Sequence, residues 1–310
     1  VKHGGRVAIL VDASAPPPPT TVPADTPLQI RPMHRSEVDL ALDWAHAEGW
    51  NPGLHDAEPF HRADPEGFLV ALLDDEPVSL IAATRYGTGY GFIGFYIARP
   101  DVRGRGVGIA VWRAAVAHLA GRLVGLDGVV AQQHNYRKSG FVLAHRNVRY
   151  EGVATRDGAQ GTAPQVGTLR PVADGPREAL FAYDRVFFPA ARERFLDAWV
   201  AQPGTVALAL WREGAMAGYG IARPCRHGWK IGPLFADTPA GAEALFGALT
   251  ARVPEGDAVY LDAPETQPEA LALAQRHGMR PMFETARMYT GAAPAISIDR
   301  TYGITSFELG

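Results

Sequence analysis

Tyr96-Ile97-Ala98-Arg99-Pro100-Asp101-Val102-Arg103-Gly104-Arg105-Gly106-Val107-Gly108-Ile109-Ala110 is the stretch that decides the fold. It begins as a strand, since Phe92–Ala98 is dense in aromatic and β-branched residues. Glycines and arginines then interrupt the strand, and Ile109, Trp112, Val116 and Leu119 fall at helical spacing to about Ala120. A helix that starts inside such a turn presents unpaired N–H groups and a partial positive charge, so it suits an anion. Glycine lets the backbone come within hydrogen-bonding distance of a phosphate, because no Cβ blocks the approach. Each charge-assisted hydrogen bond contributes about 1.5–3 kcal/mol, so three or four can hold a pyrophosphate without a metal, and no metal is expected.

Two common nucleotide loops do not fit. A dinucleotide fingerprint follows the first strand of a βαβ unit and needs an acidic residue ~20 residues on. Here four strands precede the glycines, and Leu123–Gly128 offers only Asp127. The phosphate loop of nucleotide hydrolases needs Gly-Lys followed by Ser or Thr, which is absent.

Upstream, Leu28-Gln29-Ile30 alternates as a strand, and Ser36 offers an N-cap, with Asp39 three residues on, for a helix whose face is Val38, Ala41, Leu42 and Ala45. Gly49 stops that helix. Phe68–Leu73 and Val78–Tyr86 form strands joined by the charged turn Asp74-Asp75-Glu76-Pro77. Downstream come a short strand at Gly128-Val129-Val130, a brief helix over Gln132–Ser139 closed by Gly140, and a last strand over Phe141–Tyr150. Residues 1–26, with Pro16–Pro19, are expected to be a flexible leader, and 153–165, almost without large apolar residues, a linker.

The chain then begins again. Ile30-Arg31-Pro32 recurs as Leu169-Arg170-Pro171, the strand and charged turn at 69–77 recur as Val206–Trp211 and Arg212-Glu213-Gly214, and Gly140, Tyr150 and Gly152 recur as Gly278, Tyr289 and Gly291. Offsets of 138 or 139 at the Ile30, Gly140, Tyr150 and Gly152 anchors imply an internal duplication. The expected boundaries are 27–152 and 166–291, with a tail at 292–310 that alternates weakly and adds a strand to one of the sheets.

The bulk numbers agree with two α+β domains. At 310 residues the chain has room for two units of ~100–200 residues. A net charge of −3 calls for no broad basic face and argues against nucleic acid as a partner. No run reaches the ~18–20 apolar residues that cross a bilayer, so no membrane partner is expected. The apolar stretch Val7–Val11 is too short for a secretory signal, and the single Cys225 cannot form an internal disulfide, so a cytoplasmic protein is expected.

The loop resembles the cofactor motif of the GNAT N-acyltransferase superfamily, Arg or Gln, two residues, Gly, one residue, then Gly or Ala, at Arg103, Gly106 and Gly108. Its place after the fourth strand, at the start of the central helix, is also that family's. A second motif, Tyr-x-x-x-Gly-Phe, matches Tyr136, Gly140 and Phe141. The order of elements over about 28–152 resembles the whole family domain, except that Val129 stands where the family usually has Asn. The resemblance implies a mixed central sheet flanked by helices in each of two tandem domains, and direct transfer of an acetyl group from acetyl-CoA to an amine on a small molecule or peptide. It implies a CoA site formed by Tyr96, Ile97, Ala98, Arg103, Gly104, Arg105, Gly106, Val107, Gly108 and Asn135, with Tyr136 protonating the leaving thiolate. Glu48, His55, Glu58, His61 or a water chain could deprotonate the amine, and Trp50, Phe60, Phe95 and Tyr96 could line its pocket.

At an offset of 138, Arg103, Gly106, Gly108 and Tyr136 land on Gly241, Ala244, Phe246 and Ala274, and Arg105 lands on Glu243, whose charge would repel phosphate. The second copy is therefore expected to be degenerate and to help wall the acceptor site. Gly49-Trp50-Asn51-Pro52-Gly53 and the closing Ser-Phe-Glu-Leu-Gly resemble bacterial two-domain GNAT proteins. Two other readings stay open: a non-catalytic acyl-CoA sensor, and an aminoacyl transferase using charged tRNA, which would prefer a basic groove. The oligomeric state cannot be read from the sequence.

Overall fold

The computed structural model describes residues 27–155 and 166–310; the expected leader at 1–26 and most of the expected linker, 156–165, lie outside the described residues. The first half runs β1 (Gln29–Pro32), α1 (Val38–Ala47), α2 (Ala57–Ala63), β2 (Phe68–Leu73), β3 (Glu76–Tyr86), β4 (Tyr90–Ala98), α3 (Val107–His118), β5 (Leu123–Val129), α4 (Gln133–Lys138) and β6 (Val142–Val153). The second half repeats the order as β7 (Thr168–Pro171), α5 (Arg177–Asp184), α6 (Glu193–Val200), β8 (Val206–Arg212), β9 (Ala215–Pro224), β10 (Trp229–Ala236), α7 (Pro239–Thr250), β11 (Ala258–Pro264), α8 (Pro268–Arg276) and β12 (Arg280–Tyr289). A final strand, β13 (Thr301–Gly303), follows.

The two expected α+β units are present, and their strands form one mixed sheet in the order β1-β2-β3-β4-β5-β12-β6-β11-β10-β9-β8-β7. The last strands of the two halves have changed places. β12 pairs with β5 of the first half, β6 pairs with β11 of the second, and the two exchanged strands pair with each other, all antiparallel. Buried ion pairs pin both exchanges. Arg287 on β12 donates from Nε to Asp127 Oδ1 on β5 at 2.8 Å, and Arg149 on β6 donates to Asp262 Oδ1 on β11 at 2.7 Å.

Strand alternation distributes the cores. Along β2, Phe68, Val70 and Leu72 enter a core shared with Phe195, Trp199 and Phe235 of the second half. Leu69, Ala71 and Leu73 enter the opposite core, under Val111 and Trp112 of α3. Both faces of β2 are buried, which is why its sequence is a continuous apolar run instead of an alternating one. A third core lies between α7, α8 and the second half's strands. The charged turns of the duplication are tight hairpins: Asp74 and Asp75 have φ of 49° and 61°, Glu213 and Gly214 of 52° and 81°.

Three expectations are corrected. Ser36 does not cap α1: a 3-10 turn at Arg35–Glu37 precedes the helix, and the Glu37 carboxylate accepts the His34 N–H at 2.7 Å. The fifth strand spans Leu123–Val129, not 128–130, because Gly125, Asp127 and Gly128 thin out its β-branched signal. The 138 offset also fails between β10 and β12. Eight residues, 99–106, separate β4 from α3, whereas only Asp237 and Thr238 separate β10 from α7. The cradle of the second half is therefore deleted, not substituted. Gly241, Ala244 and Phe246 lie inside α7, and the Glu243 carboxylate is held by Arg276 and His277.

Replacing Arg287 with Ala strands the Asp127 carboxylate in the sheet interior and is expected to cost about 3–5 kcal/mol in chemical denaturation. Because β12 belongs to both halves' packing, circular dichroism and tryptophan fluorescence should report a single shared transition for this variant; two separated transitions would contradict the shared sheet.

Candidate active site

β4 and β5 run parallel for only four pairs, from Tyr90 with Leu123 to Ile93 with Leu126, and then diverge. At the divergence β4 carries a bulge. Leu80 faces Ile97 and Ala82 faces Gly94, so Ile81 of β3 opposes both Phe95 and Tyr96, and Phe95 takes a φ of 47°. A positive φ at a bulky residue costs about 1–3 kcal/mol and persists where the surroundings enforce it. Here Phe95 is wedged against Phe60 and Phe68, with ring centroids 5.7 and 5.6 Å away. The bulge re-aims the Tyr96–Ala98 backbone toward the gap between the strands.

A cleft of about 560 Å³ opens from this gap toward the start of α3 and the edge of α4. Tyr96, Ile97, Ala98, Arg103, Asn135 and Tyr136, six of the predicted residues, line it. The other five form the turn at its edge: Gly104 and Arg105 precede α3, Gly106 is its N-cap with φ 85°, and Val107 and Gly108 open its first turn. Around Gly106 there is open space where a Cβ would stand, so the backbone there can be approached closely. The first N–H groups of α3 have no intrahelical partner and face that space's end of the helix. These features fit a pyrophosphate. Arg103 itself donates from Nε to Ala98 O at 2.9 Å and from Nη2 to Glu48 Oε1 at 2.6 Å, so a carboxylate now holds the guanidinium expected to meet the phosphate. Among the described residues no cluster of three or more His, Cys, Asp and Glu side chains is arranged to hold a metal ion.

Deeper in, the gap narrows to a hole of about 60 Å³ that shares Trp50, Tyr96, Trp112, Val129 and Tyr136 with the cleft. Tyr136 stands at the junction, 5.7 Å from the Trp112 ring. Gly128 makes room for it: a Cβ there would lie 2.2 Å from Tyr136 Cε2. Burial, with a smaller contribution from Tyr96, pushes the Tyr136 phenol up to about 12.

Of the aromatic residues considered for the acceptor pocket, Trp50, Phe95 and Tyr96 line the hole, but Phe60 is fully buried in the shared core. Glu48 lines the cleft. His55, Glu58 and His61 line neither space, and Glu58 is held by Arg35 and Arg62. Trp50 is placed by the second half together with the exchanged strand β6. In the Gly49–Gly53 segment Asn51 exchanges hydrogen bonds of 2.8 Å with the His227 backbone, Leu54 N–H donates to Pro224 O, and Arg149 donates to Trp50 O at 2.9 Å.

The second half also supplies walls that residue-by-residue reading missed: Phe283 and Thr285 from β12, and Phe307 and Glu308 from the tail. The tail fills the second half's own gap first. There β10 and β11 pair only from Trp229 to Ile231, and β13 then wedges beside β10 while Ile304 N–H donates to Asp262 O at 2.8 Å. Running on, it crosses β4 so closely that a Cβ on Gly94 would stand 1.9 Å from Glu308 O. The only sequence signal for these walls was the closing Ser-Phe-Glu-Leu-Gly.

A parallel pair split at a bulge, with a glycine turn and helix start at the mouth of the gap, defines an acyltransferase site of the GNAT type. Residues 34–141 match the acetyltransferase (GNAT) family, and residues 180–303 match a further acetyltransferase (GNAT) domain. The chain is 32% identical over 280 residues to the holothin acyltransferase of Pseudoalteromonas sp. (strain SANK 73390), covering 90% of this chain and 94% of that protein. In fold it is similar to a structure from Pyrococcus horikoshii assigned to the acetyltransferases, with a TM-score of 0.76 at 24% identity over 91% of this chain and 96% of that one. It is similar too to a tandem GNAT protein from the clavulanic acid biosynthesis pathway, with a TM-score of 0.61 at 15% identity over 86% of this chain and 100% of that one. The chain belongs to the GNAT acetyltransferases, in their tandem form, and is an acyltransferase.

A methyl group at residue 128 cannot coexist with the Tyr136 ring where it stands. Gly128→Ala is therefore expected to lower turnover by about 10²-fold through a displacement of the order of 1 Å, with the melting temperature showing that the fold persists.

Proposed function

We propose that this protein transfers an acetyl group from acetyl-CoA directly to an amine held in the hole behind Trp50. The observation that carries this reading is the continuity of the two spaces: a long cleft ending at the glycine turn, and a small hole sharing Tyr96 and Tyr136 with it. Acetyl-CoA, when bound, supplies an acyl carbon activated by its thioester. The Gly104–Gly108 turn and the first turn of α3 would hold the pyrophosphate through backbone N–H groups, joined by Arg103 if it releases Glu48, with Lys138 and Asn135 on the facing wall. The Tyr96–Ala98 backbone would point N–H groups at the acyl oxygen as it gains negative charge; removing one such donor typically costs ~10²–10³-fold.

Tyr136 would give its proton to the departing sulfur. A phenol pushed up to about 12 stays neutral across the working range, so it acts as donor and not as base. An unperturbed thiol near ~8.5 makes that transfer uphill, and burial of the sulfur in the same apolar hole raises its basicity toward the phenol's. The acceptor is proposed to be a small molecule, in keeping with the Pseudoalteromonas relative, whose name makes it an acyltransferase of holothin. The second half would contribute walls and no second active site, since its turn is shortened and its gap is filled by β13.

Calorimetry with CoA, followed by a thiol-release screen over small amines, amino sugars, polyamines and peptide N-termini, tests the reading. Binding without release from any amine would favour an acyl-CoA sensor; no binding at millimolar CoA would remove the enzyme assignment. Tyr136→Phe is expected to lower turnover about 10²-fold while CoA binding survives. The ratio of wild-type to variant rates should stay level from about pH 6 to about pH 10, because a phenol near 12 is protonated throughout. Turnover within about threefold of wild type would remove Tyr136 from the reaction.

A further inference from the structure

The hole behind Trp50 contains two buried oxygen atoms without a hydrogen-bond partner among the described residues, Glu308 Oε2 and Thr285 Oγ1. A carboxylate oxygen left unpaired and 3% exposed is expensive unless something binds it, since burying such a group without a partner costs several kcal/mol. The anchorage of the tail does not depend on this side chain. The tail is already anchored on either side of it: Leu309 N–H donates to Ser306 Oγ, Tyr86 donates to Leu309 O at 3.1 Å, and Arg192 donates to Gly310 O at 3.3 Å. Glu308 crosses β4 at Gly94, the residue just before the bulge, so its backbone lies against the strand that would present donors to the acyl oxygen.

Other buried charges lie around it. Arg149 of β6 pairs with Asp262 of β11, Arg223 of β9 pairs with Asp56 ahead of α2, and Lys230 of β10 donates to Asn51 O at 3.0 Å. Asp56, Arg149, Arg223 and Lys230 all feel the Glu308 charge. With Glu308 ionised, three cations face three carboxylates. Glu308 alone of the three carboxylates also lines the hole.

We propose that Glu308 is the group that receives the acceptor amine and takes its proton, with Thr285 Oγ1 as a second polar contact for the same nitrogen. This rests on the acyltransfer reading and names the base which that reading left open. Glu48, the one earlier candidate on the cleft, does not line the hole where the amine is proposed to sit. The acceptor ammonium gives one proton to Glu308 Oε2, and the freed nitrogen lone pair forms a C–N bond to the thioester carbonyl carbon. The C–S bond breaks, and its electron pair leaves on sulfur, which takes the Tyr136 proton. The new amide nitrogen returns its surplus proton to the Tyr136 oxygen, and Glu308 releases its proton to water once the hole empties. The acceptor this selects is a primary amine on a flat or unbranched apolar skeleton, since Trp50, Phe95, Phe283 and Phe307 line the same hole.

The full chain carrying Glu308→Gln is compared with wild type in the amine that gives the fastest thiol release. The expected result is a fall in kcat/KM of about 10²-fold or more, with acetyl-CoA affinity by calorimetry close to wild type and the fold kept at a lower melting temperature, since three buried cations then face two carboxylates. In Glu308→Ala, formate should restore turnover in a concentration-dependent way by supplying the missing carboxylate, an outcome that a purely structural side chain would not produce. Should Glu308→Gln fail to fold, Glu308→Asp keeps the charge and withdraws the oxygen by one methylene, and it is expected to fold and to lose at least tenfold. An active wild type with kcat/KM unchanged in these variants, or an alanine variant deaf to formate, overturns the role of Glu308 and leaves acyl transfer standing. A wild type that binds acetyl-CoA and acylates no amine overturns the acyltransfer reading and this role together.

Discussion

The exchange of β6 and β12 is the constraint from which the rest of this molecule follows. Each of these strands has one neighbour from its own repeat's partner and one from the other exchanged strand, so the sheet has no seam along which the halves could part. An antiparallel strand lying between two others is held by ladder hydrogen bonds on both edges and by side chains on both faces. Here the contacts include two ion pairs with almost no access to water, Arg149 with Asp262 and Arg287 with Asp127. Such pairs add little net stability over apolar replacements, but a wrong register would leave each charge alone, which disfavours every alternative pairing. The exchanged strands thereby fix the position of β12, and with it Phe283 and Thr285 in the hole.

The site is consequently a joint product of both repeats. The first contributes the bulge, the glycine turn, Trp112 and Tyr136; the second contributes one wall and the tail. Trp50 belongs to the first half by sequence and is attached to the second through Asn51 with His227, while Arg149 of the exchanged strand β6 holds the Trp50 carbonyl. In the second repeat only two residues, Asp237 and Thr238, precede α7, and the gap between β10 and β11 did not remain empty. β13 filled it, which satisfies backbone groups that the divergence of two strands would otherwise expose.

Much of this was legible in the residues. The duplication was visible because hairpins and strand ends carry local chemistry: Asp74-Asp75 and Glu213-Gly214 mark the same turn in each copy. The glycine turn was visible because a helix start with positive-φ positions needs glycine at Gly104 and Gly106. Tyr136 came from its spacing to Gly140. What stayed hidden depended on contacts between residues far apart in sequence. Neither the neighbour of β5 nor the destination of the tail has a local signature, because a strand's pattern states which face is buried and not which edge is paired. The shift of β5 arose because its glycines serve packing, as Gly128 does for the Tyr136 ring. The failure of the second half's alignment came from a deletion between two well-matched strands, to which a constant offset is blind.

The order in which the strands pair has a consequence for synthesis. As the polypeptide leaves the ribosome, β5 is complete long before Arg280–Tyr289, the segment destined to cover its edge. For that interval the first repeat exposes an unpaired strand edge, the sort of surface that invites association with other chains. Contacts of such large sequence separation also close slowly, since the intervening loop entropy must be lost before the pairing is gained. Fusing two copies into one chain keeps the covering strand tethered and at high local concentration, which shortens the exposure that two separate proteins would suffer.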